Sequence, residues 1–116
     1  MSNLSKQSAL AKYLPLVLDD GLNIMYIPKV DQYEEICLAA IRQNWESISY
    51  IENLTDQICL EAINHNPEAI SLIKNYSNKL LARMIEINPM VEVFLSPQRR
   101  EEFHRYDRIK KSIKNL

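Results

Sequence analysis

The sequence predicts an all-α fold, a short α-solenoid of about three to four helical hairpins of 22 residues each, closed by a C-terminal capping helix. Three observations predict it. The 116-residue chain repeats itself at a fixed spacing, its apolar residues recur with helical periodicity, and it holds one glycine and five prolines. So little glycine leaves few residues suited to positive-φ turns, which argues against tight β-hairpins and for helices joined by short links. The length is that of a single domain, 1–116, with helical repeats over 14–95 and an amphipathic basic helix over 97–114.

The repeat carries most of the weight. Residues 36–57 (ICLAAIRQNWESISYIENLTDQ) align with residues 58–79 (ICLEAINHNPEAISLIKNYSNK) without a gap. Identities fall at Ile36/Ile58, Cys37/Cys59, Leu38/Leu60, Ala40/Ala62, Ile41/Ile63, Asn44/Asn66, Ile48/Ile70, Ser49/Ser71, Ile51/Ile73 and Asn53/Asn75. A looser unit from Leu80 keeps phase through Leu80, Ile85, Asn88, Phe94 and Leu95. A degenerate one precedes them in 14–31, with Asp20-Gly21 at the Asn position and Ile24, Tyr26 and Ile27 after it.

Taken in order, each element has a local reason. Residues 5–14 form a short helix capping the first hairpin, expected to end before Pro15. Asp31 with Glu34 resembles a capping box at the next helix start. Ile36, Cys37, Ala40 and Ile41 make one apolar stripe of an α-helix. Asn44, Asn66 and Asn88 end the first helix of their hairpins and cap the second, with Pro67 and Pro89 in the first helical position. The short second helices turn Ile48 and Ile51, or Ile70 and Ile73, inward, and Thr55 and Ser77 cap the following helices. Ser96-Pro97 opens the last helix, where Phe103, Tyr106, Ile109 and Ile113 share one side. Glu101 with Arg105 and Asp107 with Lys111 are spaced as i, i+4 ion pairs. A hairpin alone buries only one face, so stacked neighbours complete the core.

Residues 20–30 (DGLNIMYIPKV), followed by 36–41 (ICLAAI), resemble a family of short tandem helical repeats without assigned chemistry, found in bacteria and large DNA viruses. The resemblance covers about 14–95 and departs where Trp45 and Pro67 replace the usual Gly, and at Met84 and Glu92. It implies a repeat scaffold, viral or bacterial, whose sharpest functional form is a small phage or mobile-element inhibitor that occludes a host protein.

Charge is unevenly divided. The net charge is −1, but residues 98–116 carry +4 and residues 1–97 carry −5. A near-neutral chain predicts no strong overall attraction to nucleic acid or membrane. No apolar run approaches the ~20 residues of a membrane span. Residues 1–12 lack the pattern of a signal peptide, and two cysteines on helical stripes suit a reducing compartment; a cytoplasmic location is expected, host cytoplasm if phage-encoded.

Chemistry is sparse. His65 and His104 lie far apart, and a His beside a helix C-terminus serves the dipole. Cys37 and Cys59 sit on the buried stripe without partners for a zinc site. Asp19-Asp20 and Glu34-Glu35 point different ways on a helix, and no phosphate loop or nucleophile–base pair is visible. No catalytic residue, cofactor or metal is therefore expected, and the chain reads as a non-enzymatic protein-binding module.

The partner-binding candidates are Trp45, where sibling units carry Pro, and the basic helix with Arg99, Arg100, Arg105, Tyr106, Arg108, Lys110 and Lys111. Trp, Tyr and Arg dominate binding hot spots. The same basic helix supports an alternative, binding of a nucleic-acid backbone. A homodimer is expected through the looser unit around Met84, Met90 and Val93.

Overall fold

The computed structural model describes residues 5–115. Five α-helices alternate with 3-10 segments and no strand occurs among the described residues. The α-helices are α1 (Lys6–Asp19), α2 (Glu34–Gln43), α3 (Asp56–His65), α4 (Asn78–Ile87) and α5 (Pro97–Lys114). Between them lie 3-10 segments Gly21–Tyr26, Lys29–Asp31, Trp45–Tyr50, Pro67–Leu72 and Pro89–Phe94. Each α-helix packs on the next, and each six-residue 3-10 segment packs on the next, so the stack has an α layer and a 3-10 layer. Its extents are 52 × 25 × 20 Å.

The second helix of every hairpin is thus 3-10 rather than α. Its bonds run i→i+3: Ser47, Ala69 and Val91 donate to the carbonyls of Asn44, Asn66 and Asn88, all at 3.0 Å. Six residues exceed the usual 3-10 run, and packing on the neighbouring segment compensates for the poorer bond geometry. At each junction one Asn does two jobs. Asn66 donates its backbone N–H to Ala62 O at 2.9 Å, closing α3, while its Oδ1 accepts from Glu68 N at 2.9 Å, opening the 3-10 segment. Asn44 and Asn88 repeat the arrangement, and Asp20 does so in the first unit through Leu22 N at 3.0 Å. All four hold the same extended φ,ψ, from −151° to −159° and 105° to 118°.

The core follows the repeat. Cys37, Cys59 and Leu81 are buried at equivalent positions, as are Ala40, Ala62 and Met84, and Ile27, Ile51, Ile73 and Leu95. Met84 is fully buried, so it is withdrawn from any dimer surface; Met90 and Val93 remain exposed. Thr55, Ser77 and Ser96 cap their helices through the N–H of Ile58, Leu80 and Arg99.

Three sequence expectations require correction. Pro15 does not end the first helix: α1 runs through it to Asp19, because the buried series Ala9, Tyr13, Val17 continues across it and its packing outweighs one lost backbone bond. Asp31 and Glu34 do not form a capping box. Asp31 is buried at the end of a short 3-10 turn, and the N-cap of α2 is Tyr33, whose side chain makes no capping hydrogen bond. That turn adds two residues, so Asp20 precedes Asn44 by 24 positions while later junctions are 22 apart. Finally, Glu101 pairs with Arg108 at 3.5 Å instead of Arg105, whereas Lys111–Asp107 forms as expected at 2.8 Å.

Candidate interaction surface

Units are joined by polar contacts that fix where the surface residues stand. Gln32 Nε2 donates to Tyr50 O at 3.2 Å, and its Oε1 accepts from Glu52 N at 3.3 Å. Lys6–Glu35, Lys29–Glu52, Arg42–Glu61 and Arg83–Asp56 are ion pairs between successive units. Each is exposed enough to act as an aligner of the stack rather than a large stabiliser.

The basic helix is less free than its sequence suggested. Arg99 donates to Asn78 Oδ1 at 2.6 Å and to Tyr76 O at 3.3 Å, with its guanidinium 4.9 Å from the Tyr76 ring centroid. Arg100 donates to Glu92 O at 3.0 and 3.2 Å, satisfying the carbonyl end of the last 3-10 segment. These two arginines fasten α5 to the stack. Arg108 and Lys111 pair with acids of their own helix, and Lys110 lies 5.8 Å from the Tyr106 ring centroid. Arg105 is exposed.

Phe103 is buried and Tyr106 half-buried, but Ile109 and Ile113 are 55% and 63% exposed. At 100° per residue, the arc that begins with Phe103 continues through Lys110 and Lys114, placing the isoleucines on a flank. The last two turns therefore overhang the stack with an apolar stripe uncovered. Trp45 is half-buried and packed against the core. Its repeat equivalent, Gly21, lies against the next helix: a Cβ there would sit 2.3 Å from Ala40 O.

One row of exposed apolar residues was not among the expected site residues. Tyr26, Tyr50, Leu72 and Phe94 stand at the same position of four consecutive 3-10 segments and are 76%, 44%, 37% and 38% exposed. Met25 and Val93, one residue earlier in the first and last units, widen the ends of this ladder. Glu46 and Glu68 also occupy one repeat position of these segments, both exposed, and no ion pair among the described residues reaches either, while Lys74 lines a groove with Leu72. A contiguous exposed apolar row with a polar rim is the signature of a macromolecular docking face. The 22-residue spacing of Tyr50, Leu72 and Phe94 was available in the sequence; the 24-residue step from Tyr26 and the exposure of the row were not.

Cys37 and Cys59 are buried free thiols, and burial pushes both from 9.0 up to about 11. His65 contacts Glu61 at 3.1 Å in the last turn of α3, and His104 contacts Glu92. Among the described residues, no group of three or more His, Cys, Asp or Glu side chains is placed to hold a metal ion. No helix among them is long and apolar enough to cross a membrane. Comparison of the chain with protein-family models, with curated proteins and with solved structures yields no match.

Proposed function

We propose that this chain is a non-enzymatic protein-binding module whose docking face is the Tyr26–Tyr50–Leu72–Phe94 ladder. The observation that carries the reading is the in-register exposure of four large apolar side chains on one face of a rigid stack. Two tyrosines among them suit the role, since an aromatic body and a hydroxyl serve both apolar and polar contacts. The resemblance to viral and bacterial repeat proteins extends the proposal to an inhibitor that works by covering a surface of its target. A flat apolar face needs no chemistry of its own to do that.

The nucleic-acid reading draws less support. Arg99 and Arg100 are spent on the chain's own carbonyls, and Arg108 and Lys111 on its own carboxylates. The acidic body would also repel a phosphate backbone at longer range.

The test is affinity capture from nuclease-treated bacterial lysate with the wild type and with a Tyr26→Ser, Tyr50→Ser, Phe94→Ser variant of unchanged helicity. A stoichiometric protein retained by the first and lost by the second is expected. Retention by both would move the docking face elsewhere. No protein retained from the treated lysate, with nucleic acid captured from a parallel untreated one, would replace the protein-binding reading.

A further inference from the structure

Among the described residues, one copy of the chain leaves two apolar surfaces exposed: the ladder on the 3-10 layer and the Ile109–Ile113 stripe on the overhanging end of α5, with the half-buried Tyr106 at its inner edge. Their charges are opposite. The segments that carry the ladder also expose Glu46 and Glu68, with Lys74 beside Leu72, on a body of −5, whereas the stripe is flanked by Arg105, Lys110 and Lys114 on a helix segment of +4. Their spacings agree as well. Packed neighbouring elements lie about 8–10 Å apart, and an α-helix advances about 10.5 Å in seven residues. Ile113 and the accessible part of the half-buried Tyr106, seven residues apart, therefore meet successive rungs of the ladder, with the exposed Ile109 between them. The chain's own α5 packs on α4, at the end of the α layer.

We propose that the overhanging end of α5 in one copy lies along the ladder of a second copy, and that the contact is reciprocal, giving a two-fold dimer with two equivalent helix-on-ladder interfaces. Opposite charge favours this arrangement over α5 against α5, which would bring Arg105, Lys110 and Lys114 of both copies together. Reciprocity closes the assembly and avoids an open filament. The inference rests on the ladder being a docking face and names an occupant for it when no other protein is bound.

Sedimentation equilibrium of the full chain tests it. The wild type is expected to be dimeric and to weaken as salt rises, because the flanking charges are screened. Ile109→Glu with Ile113→Glu, and separately Tyr26→Ser with Tyr50→Ser, should each give a folded monomer, since all four side chains are exposed. Mixing the two variants should restore a heterodimer of lower affinity, because one of the two interfaces is then intact. A dimer lost in the α5 variant but kept in the ladder variant would overturn the proposal in favour of α5–α5 pairing. A wild-type monomer would overturn it outright. If that monomer still captured a protein through the ladder, the docking-face reading would stand while the self-pairing fell.

Discussion

Gly21 and Gln43 lock the first unit onto the second: the glycine amide donates to Gln43 Oε1 at 3.2 Å, across 22 residues of sequence. The backbone comes this close because nothing projects from Gly21. A methyl group there would meet Ala40 O at 2.3 Å and Ser47 Oγ at 2.8 Å. The glycine is required by proximity to the neighbouring backbone, not by a positive φ. Gly21→Ala is expected to cost about 3 kcal/mol, at the upper end of overpacking penalties. Urea denaturation of the two proteins checks this, and an unchanged midpoint would show that the first unit shifts freely.

Trp45 occupies the equivalent position in the next unit, half-buried against the core. Trp45→Ala should destabilise by about 2 kcal/mol, less than the ~3–5 kcal/mol of a fully buried tryptophan. By contrast, the exposed Tyr26→Ser should leave the melting temperature nearly unchanged. Thermal melts separate the two. A Trp45→Ala variant that melts like wild type yet loses its captured protein would make Trp45 an anchor rather than a packing residue.

Arg100 and Arg105 are both basic residues of α5, but only Arg100 reaches the main chain of the stack. Arg100→Ala leaves the Glu92 carbonyl without that donor and should cost about 1–2 kcal/mol, discounted from the value of charged hydrogen bonds because the site is half-open. Arg105→Ala should stay within about 0.5 kcal/mol. Guanidinium titrations of both variants distinguish a fastening role from a surface one.

The two thiols give the pH dependence. Burial holds Cys37 and Cys59 protonated up to about pH 11, while in the unfolded chain they ionise near 9.0. The folded state therefore keeps protons that the unfolded state gives up, and stability falls as pH rises from about 9 to 11. Below pH 8 the cysteines contribute no slope. At neutral pH both should resist iodoacetamide until the protein unfolds, because the thiolate is the reactive form. Fast labelling of the native protein would contradict their placement.

How much of this was legible in the sequence depends on range. Caps are local chemistry, so Asn44, Asn66, Asn88, Thr55, Ser77 and Ser96 announced the helix boundaries without tertiary information. The choice between α and 3-10 in residues 45–50 or 67–72 was hidden, because it depends on the fit of each segment to its neighbour. Pro15 misled for the same reason, its local penalty being outweighed by the burial of Tyr13 and Val17. Tyr50, Leu72 and Phe94 recur at 22 residues, but periodicity assigns apolar residues to the core and cannot mark a row left outside. Ile109 and Ile113 were legible as sharing one side with Phe103 and Tyr106, but helical periodicity does not reveal where the stack beneath a helix stops.

The hydrogen bonds that join units, such as Gln43 with Gly21, Gln32 with Tyr50 and Arg99 with Asn78, span 18 to 22 residues of chain. Each such loop can close early, since loop-closure entropy grows only slowly and from a small base. Folding can then begin at whichever unit first finds its neighbour and spread outward in both directions, as in other linear arrays. The same linearity sets the order of loss. α5, held to α4 near one end and overhanging at the other, is the element whose amides should exchange with solvent first, while those of α2 and α3, enclosed on both sides, exchange last.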